Sequence, residues 1–193
     1  MRLAYADPPY PGKAHLYPEN TEVDHAELIA RLETYDGWAL STWEPALALL
    51  LPLCPPGTRV LAWCRSNEPP FHARPTRAWE PVLLWPARSS GNGPAPASYL
   101  VAGAPTGFLQ RDGLTGQKPA AFCEWVLRCM GAEPDDSLED VFPGTGIMGA
   151  TWERFRTQLE LPMPQTKGTR RPQHARNELR DSHVPMLASA EVL

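Results

Sequence analysis

Residues 6–10 read Ala-Asp-Pro-Pro-Tyr, directly after the apolar run Leu3-Ala4-Tyr5. Asp7 supplies a carboxylate and Pro8 a backbone carbonyl, and the two consecutive prolines stiffen the backbone that presents them. Tyr10 adds a flat aromatic face. This set suits methylation of an exocyclic amino group on a nucleobase. Such a nitrogen is a poor nucleophile, because its lone pair is delocalised into the ring. Two fixed acceptors for its N–H hydrogens draw density back onto nitrogen and stabilise the charge that develops during attack. A four-residue match can arise by chance, so the reading depends on independent signals elsewhere in the chain.

Two such signals follow in order. Thr115-Gly116-Gln117-Lys118-Pro119 stands just before a helical pattern, and Val141-Phe142-Pro143-Gly144-Thr145-Gly146 has the form strand, glycine loop, helix. Glycines let a backbone approach a ligand closely, and a helix N-terminus offers free N–H groups. A lone glycine loop is more often a tight turn; its weight here comes from the motifs that precede it.

The elements that must position these residues alternate in type. Residues 2–6 read as a short buried strand, and 11–22 as a polar, proline-containing loop. Asp24 is an N-cap with Glu27 three residues on, opening a helix over about 24–34 with Leu28, Ile29 and Leu32 on one face. Strands are predicted over 38–42, 59–64, 81–85 and 137–142, an apolar helix over 43–51, and a helix over 118–130 with Phe122, Val126 and Met130 at four-residue spacing. A last helix starts after Gly146 and runs to about Arg156. The fold class is therefore α/β, with a largely parallel central sheet and helices on both faces. Ligands in such sheets bind at the carboxyl ends of the strands, where both Asp7-Pro8-Pro9-Tyr10 and the glycine loop fall.

The 193 residues suffice for one domain, 1–161, with 87–116 as an irregular, glycine- and proline-rich variable loop and 162–193 as a polar, proline- and arginine-rich tail expected to be disordered. The net charge of −4 excludes a globally basic nucleic-acid binder, so contact with a polyanion must come from a local patch. Cys54, Cys64, Cys123 and Cys129 show no metal-ligand spacing, and no metal is expected. Their number and the lack of a secretory leader point to reduced thiols in a cytoplasm, and the longest apolar stretch, 46–53, is too short to span a membrane. Most tryptophans read as core or core-edge residues, Trp43 among them, while Trp79 stays open as a ligand contact.

The order Asp-Pro-Pro-Tyr, Thr-x-Gln-Lys-Pro, Asp-x-Phe-x-Gly-x-Gly resembles the β permutation group of the S-adenosylmethionine (SAM)-dependent DNA amino-methyltransferases, which methylate adenine N6 or cytosine N4. Residues 74–85 also resemble the segment that precedes the variable region in that group, and the likeness covers residues 3–156. It implies a Rossmann-like methyltransferase fold with the catalytic half first and the cofactor half last. It implies that Asp7 and the Pro8 carbonyl accept from the target amino group, that Pro9 shapes the pocket and that Tyr10 stacks on the flipped base. Asp140, Phe142, Gly144, Thr145 and Gly146 match the cofactor loop. Thr115, Gln117 and Lys118 match the segment at the methionine end of SAM, with Lys118 suited to its carboxylate. Glu160 is the candidate for the acidic residue that holds the cofactor ribose after the next strand.

The implied chemistry is direct, in-line methyl transfer without a covalent enzyme intermediate, on a base taken out of the stack. Ring-carbon methylation would need a cysteine nucleophile, and Leu53-Cys54-Pro55 has the wrong order for that motif. Tyrosine in Asp-Pro-Pro-Tyr, with no serine-led variant, favours adenine N6 in DNA. RNA adenosine and a catalytically silent nucleic-acid-binding partner are the open alternatives. The interval 88–114 is too short for a folded recognition domain, so target choice is expected to involve a partner subunit or a second copy of the chain. The expected setting is the cytoplasm of a bacterium or of a phage-infected host.

Overall fold

The computed structural model describes residues 1–17, 20–66, 77–88, 95–104 and 117–160, the side chains of 159 and 160 excepted. In chain order the elements are β1 (Arg2–Ala6), α1 (His25–Leu32), β2 (Gly37–Ser41), α2 (Leu47–Leu50), β3 (Arg59–Cys64), β4 (Trp79–Trp85), β5 (Tyr99–Val101), α3 (Ala120–Met130), β6 (Ser137–Asp140) and α4 (Ile147–Glu160). They build one six-stranded sheet in the order β5-β3-β4-β2-β1-β6. β1 pairs in parallel with β2 on one side and β6 on the other, and β3 pairs in parallel with β5. β4 runs antiparallel to both β2 and β3, with Trp38 opposite Trp85 and Ser41 opposite Val82.

All five residues of β2 are buried, as a central strand covered on both faces requires. On one face, α3 and α4 bury Phe122, Val126, Met130, Met148, Trp152 and Phe155 against Leu3, Tyr5 and Leu84. On the other, α1 and α2 bury Leu28, Ile29, Leu32 and Leu50 against Ala4, Trp38 and Leu40. The Asp24 carboxylate accepts from the N–H groups of Ala26 and Glu27 and starts α1. Gly131, at φ 74°, closes α3 in the left-handed conformation. Among the described residues no helix is long and apolar enough to cross a membrane.

Three local expectations are corrected. The apolar helix over 43–51 is broken: Pro45 and Pro52 stand in 3-10 turns, Glu44–Ala46 and Leu51–Leu53, on either side of the single α-turn of α2. Proline lacks the N–H that a continuous helix would use. The segment expected to be irregular over 87–116 contains β5, a three-residue edge strand whose Leu100 packs on the core. Its strand character comes from pairing with β3, which composition does not encode. Finally, α4 continues through Gln158-Leu159-Glu160, all good helix formers, so Glu160 ends a helix and does not follow a strand. Thr115 and the tail 162–193 lie outside the described residues.

Asp136 ties the start of the chain to the sheet. Its carboxylate, 1% exposed, takes two guanidinium contacts from Arg88 at 2.7 and 2.9 Å, the Met1 amino group at 2.8 Å and the Glu133 N–H at 2.8 Å. Burial opposes its charge, but these donors outweigh burial and hold the carboxyl down at about 2. A carboxyl depressed on folding stabilises above its unfolded value near 4, and that contribution is lost as pH falls towards 2. Asp136→Asn is therefore expected to cost about 2 kcal/mol at pH 7 and almost nothing at pH 2. Urea denaturation at the two pH values measures it, and an equal deficit at both would refute the assignment.

Candidate active site

The neighbours of β1 create the site. The chain leaves β1 for α1 on one face of the sheet, while β6 leads into α4 on the opposite face. The two connections diverge, and a crevice opens at the carboxyl ends of β1 and β6, the topological switch point of the sheet. A cavity of about 550 Å³ lies there. Its wall includes Asp7 and Pro9 after β1, Gln117 and Lys118 before α3, and Asp140, Phe142, Gly144 and Thr145 around the end of β6. Residues separated by more than a hundred positions in sequence thus share one pocket.

Asp7 is the centre of a half-enclosed charge network. Lys118, 5% exposed, places its Nζ 3.1 and 3.0 Å from the two Asp7 oxygens, 3.2 Å from Glu80 Oε2 and 3.0 Å from the Tyr10 hydroxyl oxygen. The Tyr10 hydroxyl donates to Glu80 Oε2 at 2.9 Å, and Arg65 Nη1 reaches Glu80 Oε1 at 2.8 Å. Burial pushes the Asp7 carboxyl up, with Lys118 opposing. Glu80 goes the other way: burial disfavours its charge, but Lys118 and Arg65 outweigh burial and lower it. For Lys118, burial disfavours the charge, and Asp7 and Glu80 more than compensate, so the ammonium is held above its ordinary range. Two cations and two carboxylates balance, which is how such a cluster survives out of water.

The glycine loop contributes Gly144 and Thr145 to the same lining. Gly144 and Gly146 adopt φ 46° and 72°, values that side chains rarely take, and a Cβ on Gly146 would meet nothing within 4 Å. Space therefore lies in front of this backbone, next to the first N–H groups of α4. Asp140 Oδ1 is buried with no hydrogen-bond partner among the described residues. Burial raises the Asp140 carboxyl to about 6; the Phe142 N–H opposes the rise and the Asp7 charge adds to it. An under-satisfied carboxylate facing a cavity is suited to a cationic or N–H-bearing ligand.

Of the predicted site residues, Asp7, Pro9, Gln117, Lys118, Asp140, Phe142, Gly144 and Thr145 line the cavity. Pro8, Tyr10 and Gly146 are chain neighbours of that lining, and Tyr10 joins it through its hydrogen bonds. Glu160 is the last residue of α4 and so does not follow a strand. Trp79 begins β4 and does not line the cavity. Reading the sequence missed Glu80 and Arg65, for which no local pattern exists, and missed Tyr17 and Glu22 in the polar loop and Val23 just after it, which line the cavity. Cys123 also lines the cavity, but burial pushes its thiol up to about 12, so it is no nucleophile at neutral pH. Cys54 lies away from it, its thiol donating to the Leu50 carbonyl at 3.4 Å.

The largely parallel sheet with helices on both faces and a crevice at its switch point defines a Rossmann-like α/β fold, which solved structures share. No protein-family model and no curated protein sequence matches the chain. Among solved structures it is similar to M1.HpyAVI in complex with SAM, at a TM-score of 0.56 and 16% identity over 81% of this chain and 78% of that one. It is likewise similar to M1.HpyAVI, at a TM-score of 0.54 and 16% identity over 80% of this chain and 76% of that one. The likeness is one of fold.

Proposed function

We infer that this protein transfers a methyl group from SAM to the exocyclic amino group of a base in DNA, N6 of adenine. The observation that carries this reading is that Asp7 and the 140–145 segment open onto one cavity at the switch point of the sheet. The order of the motifs resembles that of the β permutation group, and a structural neighbour was solved with SAM bound.

The residues present fit that cofactor. The two glycines leave room for a ligand against the backbone, the unpartnered Asp140 oxygen offers a carboxylate to a cation, and the cavity volume suits a molecule of nucleoside size. Gln117, Asp140, Phe142, Gly144 and Thr145 would hold it, and bound there it would supply a methyl group activated on a sulfonium. Asp7 and the Pro8 carbonyl accept the two N–H hydrogens of the target amino group and stabilise positive charge on its nitrogen. Tyr10, whose hydroxyl is fixed by Glu80, presents its ring to the base. Glu80 and Lys118 hold Asp7 and Tyr10 in register.

Titration calorimetry with SAM is the first test: a folded protein that does not bind SAM would sink the reading. The Asp140 carboxyl near 6 adds a signature. SAM carries sulfonium and ammonium charges, so the ionised carboxyl favours binding. Affinity is expected to be flat above pH 7 and to fall by up to about tenfold per pH unit below 6. Asp140→Asn should bind more weakly at pH 7.5 and lose this dependence. The modified base is then identified by mass spectrometry of DNA and RNA oligonucleotides treated in parallel.

A further inference from the structure

We propose that Lys13, Trp43 and Arg77 form a phosphodiester site for the DNA strand that delivers a base to the Asp7 pocket. The proposal rests on the transferase reading above and adds where the substrate backbone is held. Lys13 Nζ lies 4.7 Å and Arg77 Cζ 5.2 Å from the centroid of the Trp43 ring. Arg77 is exposed and Lys13 half-buried, so both cations on one indole concentrate positive charge at this edge, where a phosphate is attracted. Both cations lie over the face of the Trp43 ring. Lysine, arginine and an aromatic platform are the groups that bind a single strand through its backbone.

Three separate connections aim the cluster at the same sheet edge as Asp7. Lys13 follows the catalytic motif in a turn in which its N–H donates to the Tyr10 carbonyl at 2.8 Å. Glu22 braces that turn by accepting from the N–H groups of Gly12 and Ala14, each at 3.3 Å. Trp43 leaves the carboxyl end of β2, where the Thr42 N–H donates to the Pro81 carbonyl at 3.1 Å. Arg77 precedes β4, and because β4 runs antiparallel to both neighbours its start lies beside the ends of β2 and β3. The Arg77 carbonyl accepts from Arg65 Nη2 at 2.6 Å, and Arg65 Nη1 reaches Glu80, the partner of Tyr10. The cluster is thus coupled to the base pocket, yet none of its three residues lines the cavity assigned to the cofactor. In a chain of net charge −4 this is a local patch of the kind the composition demands.

The test is fluorescence anisotropy with a labelled single-stranded DNA oligonucleotide between 50 mM and 1 M salt, run beside SAM calorimetry on the same proteins. Lys13→Ala and Arg77→Ala should each lower the slope of log K against log salt by about 0.7 and weaken binding roughly eightfold at 50 mM. Arg77→Lys should restore the slope, and SAM affinity should stay within about twofold in every variant. Unchanged DNA affinity and slope in both alanine variants would overturn the proposal, as would a wild-type protein that binds SAM but no DNA. Effects confined to an RNA oligonucleotide would overturn the assignment to DNA. Failure to bind SAM would refute the transferase reading, and the anisotropy series would still decide the phosphate site.

Discussion

Asp7→Ala is expected to lower methyl transfer by about a hundred- to a thousandfold while leaving SAM affinity within a few fold. The size follows from what the carboxylate does. In the proposed reaction it is one of two acceptors for an amino group that becomes cationic, and removing one such preorganised group typically costs about 3–4 kcal/mol of transition-state stabilisation. SAM affinity should change little because the residues proposed to hold SAM are other members of the cavity lining. Asp7→Asn, which keeps one acceptor oxygen but not the charge, should fall between wild type and alanine. Single-turnover transfer with labelled SAM, together with calorimetry, measures both quantities. Activity of Asp7→Ala equal to wild type would refute the catalytic assignment outright.

Lys118→Met is expected to destabilise the fold by about 3–5 kcal/mol at pH 8, because it leaves the Asp7 and Glu80 carboxylates near each other in a half-enclosed site without the ammonium between them. Arg65 still compensates Glu80, so the uncompensated charge falls on Asp7. Burial already raises the Asp7 carboxyl, and loss of Lys118, which opposes that rise, raises it further. A carboxyl whose folded value is raised loses stability as pH rises through the interval between its unfolded and folded values. The deficit of Lys118→Met should therefore shrink as pH falls from 8 to 5 and Asp7 takes up a proton. Urea denaturation at both pH values reads this. A deficit independent of pH would mean that Lys118 acts by packing alone, for instance beneath the Trp63 and Phe122 rings that it approaches within 5.9 Å.

The same lysine separates what is legible in a sequence from what is not. Its place before a helix and its part in Thr-x-Gln-Lys-Pro are local, and so is its suitability for a cofactor carboxylate. That its ammonium is engaged by Asp7 and Glu80, 111 and 38 positions away, is a property of the sheet edge on which all three meet.

Local chemistry determined much of the frame. Apolar runs ending in special turns placed β1 before Asp7 and β6 before the glycine loop; an Asp24 cap and a 3.6-residue period placed α1, and Phe122, Val126 and Met130 placed α3. These signals act over a few residues, where turn chemistry and side-chain period suffice. Only the tertiary structure decided the direction of β4. By running antiparallel it carries Glu80 to Tyr10 and Lys118 and Arg77 to Trp43. It also decided that Tyr99-Leu100-Val101 pairs as a strand and that α4 runs on through Glu160. The reason is physical: strand direction and pairing are set by burial and hydrogen bonds between segments distant in the chain, and no period within either segment records its partner.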